Sequence, residues 1–169
     1  MSAEDPVYVV FDGDNDGWAY RYMRGWKTND RVDFEFKDAH DLDNMTGRAQ
    51  NEQYVKRHLR PRMEASGCVL VMIGEKTRYQ YRYIRWELEL AIDLDLPIIG
   101  VNLSGSRTMD RDRCPPIIRD HCVIHISYKK AIIKFALAKW PAAYRRLSAE
   151  VRAQGWRYYD DRIYEALGL

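Results

Sequence analysis

Cysteine and proline are both scarce in this chain, at three and six among 169 residues. Cys68, Cys114 and Cys122 are odd in number and widely spaced, which argues against a disulfide framework and against a paired zinc knuckle. Two of them fall in apparent strands, where cysteine behaves as a small core residue, and the pattern suits a reducing cytoplasm. No apolar run approaches the ~20 residues of a membrane span. The opening Met1–Pro6 is acidic and lacks the basic-then-apolar shape of a signal peptide. Charge of one sign is also lacking. Charged residues are 31% of the chain but the net charge is only +2, so nothing compels a nucleic-acid partner. There is no glycine-rich phosphate fingerprint, which leaves a dinucleotide-binding Rossmann unit and a nucleotide triphosphatase unsupported. The four histidines, His40, His58, His121 and His125, have no ligand spacing, so no metal site is expected. These absences together predict a cytoplasmic protein with no membrane or nucleic-acid partner.

What is present is a regular alternation of apolar runs and helical stripes. Val7–Phe11 is β-branched and aromatic and runs into Asp12-Gly13-Asp14-Asn15-Asp16-Gly17, a strand entering a tight loop. Trp18, Tyr22 and Trp26 recur four apart, which predicts a helix over 17–27 with Asp14 or Asp16 as its N-cap. Val32, Phe34 and Phe36 alternate with charged residues, as a half-exposed strand does. A polar loop over 37–46 follows. Val55, Leu59 and Met63 predict a helix over 50–64, with Pro61 kinking its last turn. Cys68–Ile73 is an unbroken apolar run, as a central strand buried on both faces is, and Ile84, Leu88, Ala91 and Leu94 form the stripe of the next helix. Ile98–Leu103 and Cys122–Ile126 predict two more strands. Ala131, Ile132, Phe135 and Ala136 begin a closing helix to Trp140, with Pro141 opening a further one as its first residue. That last stripe runs to a C-cap at Gly155, and Ile163, Tyr164 and Leu167 end the chain at helical spacing.

Five alternations of strand and helix predict right-handed crossovers and a flavodoxin-like, three-layer α/β sandwich around about five parallel strands. Residues 1–140 are expected to form this domain, and 141–169 a helical appendage packed on it. In such sheets ligands bind beyond the carboxyl ends of the strands. The loops over 12–17, 37–46, 74–81 and 103–107 converge there, and so does the start of the helix that carries Glu87.

From spacing alone Glu87 is an oddly placed carboxylate at the rim of an apolar stripe, and an ordinary salt-bridged helix glutamate is the simpler reading. Its position at the ligand-binding edge, beside Tyr83 and Trp86, makes it a site candidate. The acidic loop after the first strand matches the first half of a calcium loop, but Met23 occupies the position that must supply a bidentate glutamate. It is better read as a turn and helix cap, with a ligand contact as a further alternative. A phosphate-accepting receiver is set aside as well, because the third strand ends in Gly74-Glu75 and not in an aspartate. Arg78, Arg82 and Arg85 are read as a solvated face, with polyanion binding as the weaker alternative.

Four segments in order resemble one family: V-Y-V-V-F-D-G-D-N-D at the first strand, L-V-M-I-G-E-K-T at the third, Y-I-R-W-E-L-E-L-A in the following helix and P-I-I-G-V-N-L at the fourth strand. Together they resemble the bacterial TIR-like domain family, which includes the TIR component of Thoeris anti-phage systems. The likeness spans Val7 to Leu103. It implies cleavage of the nicotinamide–ribose bond of NAD+ and production of a cyclic or conjugated ADP-ribose signal, with NAD+ as substrate and neither metal nor other cofactor. The family's catalytic glutamate, in a W-x-x-x-E spacing, matches Glu87, with Tyr83 standing where tryptophan is common and Trp86 immediately before the glutamate. Phe11, Asp12 and Gly13 correspond to the loop bordering the nucleotide, and Lys37 and Asp38 begin the segment to Asn44 that covers it. The resemblance further implies self-association through TIR surfaces and a nucleotide-sensing effector reached by a diffusible product. Many TIR domains are adaptors, so an interaction module without turnover is the competing expectation.

Overall fold

The computed structural model describes residues 5–30, 36–37, 51–80 and 82–169. Among these residues six strands form one sheet: β1 (Val7–Val10), β2 (Phe36–Lys37), β3 (Cys68–Ile73), β4 (Ile98–Asn102), β5 (Ile124–Ser127) and β6 (Arg157–Tyr158). Their order is β2-β1-β3-β4-β5-β6 and every pairing is parallel. This is the doubly wound, flavodoxin-like order that the alternation of elements predicts. Both faces are covered, which explains why the central strands are unbroken apolar runs and not alternating ones.

Period two divides each strand between two cores. Val7, Val9, Leu70, Met72, Ile99 and Val101 face α1 (Gly13–Asp30) and α4 (Lys130–Arg146). Tyr8, Val10, Val69, Val71, Ile73 and Ile98 face α2 (Glu52–Glu64) and α3 (Tyr83–Asp93). Each helix lays a narrow stripe on the sheet: Val55, Leu59 and Met63 from α2, and Ile84, Leu88 and Ala91 from α3. All three cysteines are buried and free. Burial pushes the thiols of Cys68 and Cys114 up to about 12, so both are inert core groups. Among the described residues no helix is long and apolar enough to cross a membrane.

Several boundaries differ from the sequence expectation, each for a local reason. Helix α1 begins at Gly13 and not Gly17, because Asp12 is its cap. Helix α2 begins at Glu52, where the Asn51 side chain accepts from the backbone N–H of Tyr54. The strand expected around Val32 and Phe34 falls largely outside the described residues, as does most of the polar loop after it. Pro141 does not restart a helix: α4 runs through it to Arg146. Buried Ile132, Ile133, Ala136, Leu137 and Trp140 hold that helix on the sheet, and this packing outweighs the one backbone bond that proline removes. The stripe beyond it breaks at Leu147, and Ser148 caps a single-turn helix, α5 (Ala149–Arg152). Gly155 then takes φ +89°, a conformation that suits glycine, and turns the chain into β6.

The tail therefore adds an edge strand as well as helices, with Ile124 paired to Arg157 and His125 to Tyr158. The final helix, α6 (Asp161–Ala166), delivers Tyr164 to a fully buried position. There its hydroxyl accepts from the backbone N–H of Ser127 at 3.2 Å. The Arg107 guanidinium covers the same ring at 4.3 Å and pairs with Asp161. Tail and strand ends are thereby tied together.

Candidate active site

The carboxyl ends of β1 and β3 are joined by two buried aspartates. Asp12, 4% exposed, uses one carboxylate oxygen to accept from the backbone N–H groups of Asp14 and Asn15, at 3.1 and 3.3 Å. These are orphan donors of the first turn of α1, and an anion at that end also meets the positive pole of the helix. The other oxygen accepts from the side-chain amides of Asn15 at 2.7 Å and Gln80 at 2.9 Å. The Gln80 bond pins the connection ahead of α3 onto the β1 loop.

Asp16, 5% exposed, forms the second tie. Its carboxylate accepts from the Thr77 hydroxyl at 3.2 Å, and the Thr77 oxygen in turn accepts from the backbone N–H of Gly74 at 2.7 Å. A Cβ at position 74 would stand 2.2 Å from an Asp16 carboxylate oxygen. Glycine is thus what lets the end of β3 approach the acidic loop. Desolvation by burial raises the Asp16 carboxyl above its ordinary value, the Thr77 hydrogen bond works against this, and the nearby Asp12 charge adds to the rise.

Beyond this network the 3-10 turn Thr77–Tyr79 leads into α3. Tyr83 is the first residue of α3 and 37% exposed. It meets the half-buried Trp86 edge to face, ring centroids 5.5 Å apart at 74°. Glu87 follows one turn after Tyr83 and is 7% exposed, on the buried side of the helix with Ile84, Leu88 and Ala91. The contrast within α3 is informative. Glu89, two residues on, sits in a surface ladder, accepting from Lys56 of α2 and from Arg85, each at 2.7 Å. Burial acts to raise its carboxyl, yet those two hydrogen bonds hold it below the usual carboxylate value. Glu89 is thus a salt-bridged surface glutamate, and Glu87 occupies an inward position.

The remaining candidates are spread around this edge. Phe11 is buried and its ring packs on Tyr20 of α1, centroids 4.5 Å apart, in the layer across the sheet from α3. Gly13 is exposed as the first residue of α1. Lys37 closes β2, paired with Tyr8. Asp38 and the rest of the 38–50 segment lie outside the described residues. Sequence reasoning offers Asp16 as a candidate helix cap and does not single out Thr77 or Gln80. The Thr77–Asp16 contact joins residues 61 apart, and only the convergence of the 12–17 and 74–81 loops pointed to it.

A parallel, doubly wound sheet of this order with helices on both faces has the α/β, flavodoxin-like architecture of a TIR-type domain. The family model for the Thoeris protein ThsB, TIR-like domain, matches residues 8–108, well over half of the chain. The chain therefore belongs to the Thoeris TIR-like family, and its role is a Thoeris-related TIR role. The match runs from β1 past β4 and contains Phe11, Asp12, Gly13, Tyr83, Trp86 and Glu87; β5, β6 and α4–α6 lie beyond it. No curated protein matches the chain.

Proposed function

We propose that this domain breaks the nicotinamide–ribose bond of NAD+ and passes the ADP-ribosyl group on to a cyclic or conjugated product, a signal in anti-phage defence. The observation that carries the reading is Glu87, a carboxylate 7% exposed beside Tyr83 and Trp86 in a member of the Thoeris TIR-like family. In this reading the C1′–N bond breaks with its electron pair leaving on the pyridine ring, so nicotinamide departs neutral and positive charge develops on the ribose. The Glu87 carboxylate offsets that charge and accepts from the ribose hydroxyls, as carboxylates do in glycoside cleavage. A nucleophile then bonds to C1′: water, a heteroatom of a separate acceptor molecule for a conjugate, or an atom of the same ADP-ribose for a ring, any O–H proton passing to solvent. Tyr83 and Trp86 supply aromatic surface for a planar heterocycle and keep water from the cation, which favours transfer over hydrolysis. A neutral leaving group needs no metal to carry it away.

Phe11, Asp12 and Gly13 border the nucleotide in this reading, and Lys37 and Asp38 begin the segment across it. Asp12 is then a positioning group, since its oxygens serve the α1 cap, Asn15 and Gln80. The enzyme works in the cytoplasm and signals to a nucleotide-sensing effector through its product. The test is incubation of purified protein, and of phage-infected lysate, with NAD+ and mass spectrometry of the products. Nicotinamide together with an ADP-ribose-containing species supports the reading. The competing reading is an interaction module, favoured by Trp18 and Tyr22, exposed at 44% and 67% on α1. Nicotinamide absent from both incubations decides for it.

A further inference from the structure

A second feature of the same edge is independent of the Glu87 chemistry. Between the turn leading into α3 and the loop before β5 lies a cavity of about 310 Å³, lined by Arg78, Gln80, Arg85, Pro115, Pro116 and Ile117. Glu87, Tyr83 and Trp86 do not line it. Residues two apart on an α-helix point about 200° apart, so Arg85 leaves α3 on a different side from Glu87.

The lining has two chemical halves. One is cationic. Arg85 donates its Nε–H to Glu89 at 2.7 Å, which fixes the plane of the guanidinium while its terminal nitrogens stay without a protein partner among the described residues. Arg78 spends one terminal nitrogen on the carbonyl of Asp112 at 2.7 Å, bracing the two walls against each other, and its plane lies over Tyr79 at 4.8 Å. Two braced guanidiniums with N–H groups to spare form a fork for a phosphate. The other half is apolar and stiff: Pro115 is buried, Pro116 exposed and Ile117 half-buried, and Arg119 donates to the carbonyl of Cys114 at 3.1 Å to hold that loop. Such a wall suits the flat face of a base. The volume is at the low end for small-molecule sites, which fits one mononucleotide better than a whole dinucleotide.

We propose that this cavity is a nucleoside-monophosphate site, with Arg78 and Arg85 on the phosphate and Pro115, Pro116 and Ile117 against the base. Gln80 gives it a route to the acidic loop, because the residue that lines the cavity also donates to Asp12. Gln80 thus joins one wall of the cavity to the cap of α1.

The test is calorimetric titration of the whole chain with AMP and with inorganic phosphate at low ionic strength. AMP is expected to bind at least about tenfold more tightly than phosphate, because only AMP uses the apolar wall. Arg78→Gln/Arg85→Gln protein should lose about tenfold or more in AMP affinity. Pro116→Glu, an exposed change that leaves both arginines in place, should weaken AMP similarly by setting a solvated charge where the flat face of the base packs. Glu87→Gln should leave AMP binding unchanged. The proposal is overturned by AMP binding that survives both the double arginine change and Pro116→Glu. It is equally overturned by phosphate matching AMP, by loss of AMP binding in Glu87→Gln, or by no binding of either probe. NAD+ cleavage by Glu87 is decided by other measurements, so either idea can fail alone.

Discussion

Acidification should destabilise this protein through one buried histidine. His125 stands in β5, opposite Gly100 of β4, and is fully buried. Neither ring nitrogen has a hydrogen-bond partner among the described residues. A Cβ at position 100 would come 2.8 Å from the Nδ1 atom, and Trp156 closes the site edge-on with ring centroids 6.3 Å apart. Desolvation lowers the His125 pKa from 6.5 to about 4. The folded state thus resists protonation over a range where the unfolded chain accepts it, and stability falls as pH drops from 6.5 toward 4. At about 1.36 kcal/mol per pKa unit, the contribution lost is about 2 kcal/mol by pH 5 and about 3 kcal/mol by pH 4. Urea unfolding of wild-type and His125→Leu protein across that range isolates the term, because the other titrating groups are common to both. The stability of wild type relative to the variant should decline by those amounts between pH 7 and pH 4. Parallel pH profiles for the two proteins would refute the reasoning.

Three further outcomes follow from the packing. Gly74→Ala should cost about 1–3 kcal/mol, as overpacking does, since the new methyl meets the Asp16 carboxylate at 2.2 Å. In an Asp16→Ala background most of that cost should vanish, which a double-mutant cycle by urea unfolding measures. Tyr164→Phe, which takes an acceptor from the buried Ser127 N–H, should lower stability by about 1–3 kcal/mol in the same assay. Gln80→Ala removes one of the two side-chain amides that hold an Asp12 oxygen and should lower NAD+ turnover more than it lowers the melting temperature, read by product analysis beside a thermal melt.

Much of the architecture is legible in the residues because a sheet buried on both faces leaves a coarse mark. Val7–Val10 and Cys68–Ile73 are unbroken apolar or aromatic runs, Ile98–Asn102 is one up to its last residue, and none needs a partner to be recognised. The inward position of Glu87 was legible only as an irregularity in a helical stripe, which the parallel topology then placed at the ligand-binding edge. What escaped is what depends on distant or very short contacts. Three aspartates in Asp12–Asp16 are equally good caps by type, and only the geometry assigns the cap to Asp12. A two-residue strand such as β6 is too short to show a period, and Pro141 is tolerated for packing reasons that local propensity does not contain. The partners of Asp12 and Asp16 in the 74–80 loop lie more than sixty residues away in sequence.

The central claim is that Glu87 carries NAD+ cleavage. It is tested most directly by measuring nicotinamide release from NAD+ by wild-type and Glu87→Gln protein, with circular dichroism showing that both are folded. Glutamine keeps the shape of the side chain and removes the charge proposed to offset the ribosyl cation. Loss of one such electrostatic contribution lowers turnover by about a hundredfold or more. Nicotinamide release from wild type that falls by that margin in the variant is the result predicted here; equal release from the two folded proteins would contradict it.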